Sequence, residues 1–205
     1  MKRSTIGLLL LAIGVPSYAT IDLTPSPTEY VANGVTFHGV SFKDDKRRID
    51  YEPPQGWTVD GSANQARLKP PKKNFAESII TSTPLTKPQA LDENSIKTLE
   101  DQLIAALPVG SQFAKVEEEL SNPVLLNGNA SFEVTISYQL NGEKFLRSAL
   151  FVNLPDAQLT FRLTARKDDF AALHREFKVS IFSWHWVEPE QGPSAAAKSA
   201  EQSVQ

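Results

Sequence analysis

The chain has 205 residues, 40% of them hydrophobic and 22% charged, with 14 prolines, 10 glycines and no cysteine, and a formal charge of -3. This composition describes one ordinary globular domain with something left over, and it excludes global disorder, a collagen-like repeat and a polybasic nucleic-acid arm. Without cysteine there is no disulfide framework, thiolate zinc site, cysteine nucleophile or lipidated cysteine.

Residues 1–19 have three parts: Lys2 and Arg3, an apolar run from Ile6 to Val15, and Pro16-Ser17-Tyr18-Ala19 with small residues before a cut. They read as a secretory signal peptide cleaved after Ala19. The run is about ten residues, roughly half of what a ~30 Å hydrocarbon core requires of a permanent span. Cleavage removes two cations and no acid, so the exported product is more acidic still. Periplasm or extracellular space is its expected location, and nucleic acid is not an expected partner.

Residues 20–34 are polar and punctuated by Pro25 and Pro27, and they read as an extended leader. Within 35–187, Val35–Phe42, Arg48–Glu52, Ala66–Lys69 and Phe75–Thr83 are short strand candidates separated by turn residues. Ile96, Leu99, Leu103, Ala106 and Leu107 recur at helical spacing, with Asp92 and Glu93 at the start and Pro108 and Gly110 at the stop. Phe113–Leu120 is a further strand candidate, although its acidic run also suits a helix.

The clearest signal is Ala130–Leu140, where Phe132, Val134, Ile136, Tyr138 and Leu140 alternate with polar residues, as in a strand with one buried face. Asn141-Gly142 and the apolar stretch Lys144–Leu154 make it a β-hairpin. Two registers are open. A two-residue turn sets Arg147 against Ile136, whereas a three-residue loop with a bulge brings Leu146, Leu150 and Val152 to that face. Leu159, Phe161, Leu163 and Ala165 continue the meander. Phe170, Leu173, Phe177, Ile181 and Trp184 then define a second amphipathic helix, with Asp168-Asp169 as its N-cap candidates. Residues 188–205 have almost nothing to bury and read as a disordered tail.

The order of strands, helix, strands and helix predicts an α+β domain whose antiparallel sheet is sandwiched by helices, an α/β/α arrangement. The segment Arg48-Ile49-Asp50-Tyr51-Glu52, running into Pro53-Pro54-Gln55-Gly56-Trp57, together with the middle helix, the meander and a last helix from Asp169-Phe170 to Ile181-Phe182-Ser183-Trp184, resembles the PsbP-like superfamily. That group includes PsbP, Mog-type proteins and exported bacterial proteins of unassigned role. The resemblance covers about 35–187. It implies a sheet between helices and no catalytic activity, and it carries over no binding residue.

The glycines form neither G-x-G-x-x-G nor a P-loop, and H-E-x-x-H and G-x-S-x-G are absent, so no cofactor or enzyme signature is present. His38 and His185 are the metal-ligand candidates. On one continuous helix His174 and His185 would lie ~16 Å apart along the axis and could not share an ion. Trp184 suits the core. Trp186 and Trp57 are candidate contacts for a ligand or partner, and Arg47, Arg48, Lys72 and Lys73 are candidate contacts for an anionic partner. The expected function is an exported, non-catalytic binding protein of the cell envelope. The alternatives are a small-ligand or metal binder near Trp57, His38 or Trp186, and a hydrolase of unrecognised type.

Overall fold

The computed structural model describes residues 21–32, 34–45 and 47–188. The proposed signal segment 1–19 and the tail beyond Glu188 lie outside them. In chain order the elements are β1 (Ile21–Ala32), β2 (Val35–Asp44), β3 (Arg47–Tyr51), β4 (Thr58–Ser62), β5 (Gln65–Lys69), β6 (Glu77–Pro84), α1 (Glu93–Ala105), β7 (Gln112–Ser121), β8 (Ser131–Leu140), β9 (Glu143–Asn153), β10 (Ala157–Arg166), α2 (Lys167–Ile181) and β11 (His185–Val187). They form two antiparallel sheets, one of four strands in the order β1-β2-β3-β11 and one of seven in the order β4-β5-β6-β10-β9-β8-β7.

The expected single sheet sandwiched by helices is therefore corrected: the protein is predominantly β, with two sheets and two helices. The difference comes from both ends of the chain. Residues 20–34, expected as a leader, contain β1, which pairs along β2 and buries Ile21 and Leu23 in the core. Its prolines are tolerated because β1 is an edge strand, and Pro25 falls where the register shifts between Asp22 and Ser26 while Pro27 pairs with Val40 beyond it. At the other end the last helix stops at Ile181, short of the expected Trp184, and the chain turns back as β11 beside β3. The 16 Å separation computed for His174 and His185 on one helix consequently does not apply. Asp168 and Asp169 lie in the first turn of α2, where they favour the positive helix end without capping it.

The principal core lies between the two sheets and α2, joining Leu23, Phe42, Ile49 and Tyr51 to Leu68, Ile80, Phe161 and Leu163, with Phe177, Ile181 and Trp184 completing it. A second cluster joins Leu99 and Leu103 of α1 to Phe132, Val134, Ile136, Ala149 and Phe151 on the opposite face of the large sheet. Asp92 caps α1, its Oδ1 accepting the Ser95 N–H at 2.9 Å. The two sheets meet where β1 crosses the β4–β5 hairpin and the Leu23 N–H donates to the Ala63 carbonyl at 3.2 Å. A Cβ at Gly61 would lie 2.8 Å from both the Gln65 and Leu23 carbonyl oxygens. Gly61→Ala is therefore expected to cost about 1–3 kcal/mol by forcing backbone apart, read as a lower urea midpoint with unchanged slope.

Of the two open registers, the hairpin takes the two-residue turn. Asn141 and Gly142 have φ of 52° and 81°, the left-handed pair that a type I′ turn requires, and Ile136 faces Arg147 while Tyr138 faces Phe145. The apparent conflict of an arginine beside an isoleucine is resolved locally. Arg147 Nη1 donates to the Ala106 carbonyl at 2.9 Å, satisfying the end of α1, and its Nε donates to Thr164 Oγ1 at 3.0 Å.

Candidate functional site

A groove of about 930 Å³ runs between β2, the turn at Pro53–Gly56 and α2. Trp57 forms its floor. The indole is buried, lies parallel to Phe177 with 6.3 Å between centroids, and donates from Nε1 to Glu176 Oε2 at 3.2 Å. Gly56, at φ 77°, makes the turn that aims it inward. On the rim, Val179 is 65% exposed and Phe37 is 37% exposed, and Phe182, at the C-terminal cap of α2, is exposed as well. Beneath the groove the Tyr51 hydroxyl shares a 2.7 Å hydrogen bond with Ser180 Oγ, and burial pushes the phenol up, with Ser180 opposing only in part, so it stays neutral. The Glu52 N–H donates to Ser183 Oγ at 2.8 Å, tying the turn to the end of α2.

The predicted contact residues are spread over several places, two of them adjoining grooves that share Gly39 and Glu52. Trp57 and His38 line this groove, and His38 Nδ1 is 3.0 Å from Glu29. His185 and Arg48 line a second groove of about 520 Å³, where Arg48 pairs with Asp50 at 2.8 Å and His185 Nδ1 lies 2.8 Å from the Ser183 carbonyl. Lys72 and Lys73 line a third, of about 510 Å³, with Lys73 Nζ 2.6 Å from Asp169. Trp186 is not the open contact it suggested. It is partly buried, donates from Nε1 to Asp44 Oδ2 at 2.7 Å, and packs edge-on to Trp184 beneath the Arg47 guanidinium. Arg47 itself pairs with Asp44. Among the described residues no group of three or more metal-ligating side chains converges, and no helix is long and apolar enough to cross a membrane.

Sequence reasoning missed one polar cluster. Glu133 on β8 is 4% exposed, and its carboxylate receives His174 at 2.6 Å, Lys178 Nζ at 2.7 Å and Ser148 Oγ at 2.7 Å. Burial alone would push this carboxyl up; the hydrogen bonds from His174, Lys178 and Ser148 outweigh it and hold it at about 2. The alternating pattern of β8 had assigned Glu133 to an open polar face, but α2 covers that face. The available signal was the four-residue spacing of His174 and Lys178, which puts both on one side of a helix. The cluster has no nucleophile poised beside a free base: His174 contacts Glu133, and Ser148 spends its proton on the same carboxylate. We read it as a tether that seats α2 on the sheet.

No family model and no curated protein matches the chain. Among solved structures, it is similar to a Pseudomonas aeruginosa protein of unknown function at 18% identity, over 76% of this chain and 93% of that one, with a TM-score of 0.41. It is also similar to the cyanobacterial PsbP of Synechocystis at 12% identity, over 87% of this chain and 98% of that one, with a TM-score of 0.46. These likenesses concern fold alone and assign no function.

Proposed function

We propose that this is an exported, non-catalytic binding protein that holds an extended segment of a partner protein in the Trp57 groove. One observation carries the reading: a groove of about 930 Å³ with a preformed aromatic floor and a rim where Phe37 and Val179 expose apolar surface, with Phe182 exposed at the end of α2. Large apolar side chains around a concavity favour association, because covering them removes apolar area from water. A rigid indole fixed by Phe177 and Glu176 loses little entropy on binding. Glu52, Arg175 and Glu176 supply polar edges, as binding surfaces commonly do. Export rests on the tripartite segment 1–19.

A photo-crosslinking residue at position 179, introduced into the native host, is expected to capture one reproducible partner. A crosslinker at position 97, on the exposed side of α1, should not. The double substitution Phe37→Glu with Val179→Glu, crosslinked from position 182, should lower that adduct by about tenfold. Equal capture from positions 97 and 179, or an adduct indifferent to the double substitution, overturns the reading.

A further inference from the structure

The face of the large sheet that carries α1 is only half covered by it. Over β8 and β9, α1 buries the apolar residues, but over β5, β6 and β10 the face remains partly exposed. Strand register places the side chains there in rows. Arg67, Ile79, Arg162 and Ala149 form one row, and Glu77, Thr164 and Arg147 form the next. Lys69, two residues beyond Arg67 on β5, faces the same way. The chain as a whole is acidic, yet this area gathers Arg67, Lys69, Arg147 and Arg162 around one central carboxylate, Glu77, with Asp60 opposite Arg67 on the outer strand.

Local pairing accounts for part of this charge. Arg67 lies 3.6 Å from Glu77, and Arg147 is held by Ala106 and Thr164. Arg162 is different: it is partly buried, and among the described residues it makes no ion pair within 4.0 Å and no side-chain hydrogen bond. Burial pushes its guanidinium down, Glu77 and Tyr138 partly offset this, and Arg67 adds repulsion. Burial also lowers Arg147, with the charge of Arg162 as the next cause. Guanidinium groups do not lose their proton at neutral pH, so the fold keeps a buried Arg147 and a partly buried Arg162 as neighbours without a full complement of anions among the described residues. That arrangement is costly unless an anion completes it. A groove of about 510 Å³ opens beside it, lined by Lys69, Lys72, Arg147 and Thr164, by Lys73, which Asp169 pairs, and by Glu77, which Arg67 pairs.

We propose that this face binds a small soluble ligand bearing a phosphoryl group, which Arg162 and Arg147 hold on the sheet beside the groove while Lys69 and Lys72, in the groove, screen its remaining charge. The Arg162 fork and the remaining Nη2 of Arg147, whose Nε and Nη1 are engaged by Thr164 and Ala106, can donate charge-assisted hydrogen bonds to the oxygens of such a group. The ligand is soluble rather than a headgroup in a bilayer because the cations are recessed. Arg147 is 6% exposed, and Pro108 and Leu140 wall the groove above it, where a flat surface does not reach. This inference is independent of the Trp57 groove.

The test uses the purified full chain and inorganic pyrophosphate at constant ionic strength, read by calorimetric titration and thermal unfolding. Saturable binding is expected, raising Tm by about 5–10 °C at a hundredfold excess over Kd. Arg162→Met should weaken binding by about tenfold or more. It should also raise the Tm of the ligand-free protein by about 2–4 °C, because an unpaired charge is removed. Arg162→Lys should fall between the two, and Lys97→Met on the far side of α1 should bind as the parent does. If Arg162→Met fails to fold, Lys69→Met decides, with weaker binding expected. Absence of saturable binding, or equal affinity in the decisive variant, overturns the proposal. So does sedimentation with phosphatidylglycerol vesicles by a protein that ignores pyrophosphate.

Discussion

Trp184→Ala is expected to destabilise the protein by about 3–5 kcal/mol, whereas Trp184→Phe should stay within about 1 kcal/mol of the parent. Trp184 is 3% exposed and sits where the two sheets meet. Its ring stacks on Phe42 of β2 at 5.4 Å, tilts against Tyr51 of β3 at 5.7 Å and meets Phe161 of β10 edge-on at 5.2 Å. Removing the indole opens a cavity between layers joined by few direct hydrogen bonds, so neighbouring side chains can collapse into it only by moving one sheet against the other. The indole N–H, however, has no acceptor among the described residues. It therefore costs desolvation without repayment, and phenylalanine keeps most of the aromatic contact while removing that group. Urea unfolding of the two variants checks this. A phenylalanine variant as unstable as the alanine one would mean that the indole N–H, not the packing, carries the stability.

The contrast between these variants also explains which parts of the fold were readable. The meander of β8, β9 and β10 and the α1 helix follow from the spacing of their apolar residues, although β8 and β9 prove to be buried on both faces and only β10 alternates in burial. The small sheet does not announce itself. β1 contains two prolines, and among the described residues it gives the core Ile21 and Leu23. β11 has three residues and looks like the continuation of a helical stripe, since Trp184 falls in phase with Phe177 and Ile181. Its extended conformation comes from pairing with β3, which lies more than 130 residues earlier and leaves no local trace.

The candidate sites show the same division. Trp57 was legible as a contact because an indole after a glycine turn is conspicuous, and it lines the groove of about 930 Å³. Arg47, Arg48 and Trp186 were equally conspicuous, but Asp44 and Asp50 engage them, and a cation neutralised by its neighbour differs from a free one only in three dimensions. Arg162 passed unnoticed for the opposite reason. As one arginine in an alternating strand it looked solvated, and only the register with Arg67 and Arg147 shows that it lacks a partner.

Acidification is expected to weaken the fold between about pH 5 and pH 2, and Glu133→Gln should abolish most of that dependence. Folding lowers the Glu133 carboxyl from its ordinary 4.5 to about 2. In that window the unfolded chain binds the proton while the folded chain resists it, so proton uptake pulls the equilibrium toward unfolding as pH falls. The stabilisation is complete above the unfolded value and is lost through the folded one. Its size corresponds to about 3 kcal/mol. At neutral pH, Glu133→Gln should therefore cost about 3 kcal/mol, because Lys178 and His174 lose the carboxylate that holds α2 to β8. The lowered carboxyls of Asp22, Asp92 and Glu117 add their own acid sensitivity to both proteins. The informative quantity is thus the difference between the two stability curves, which should shrink from about 3 kcal/mol at pH 7 toward zero near pH 2. Curves that stay parallel would show that Glu133 acts through packing alone. Convergence would assign α2 a charge-assisted seat, and with it the position of Glu176, Val179 and the wall of the Trp57 groove.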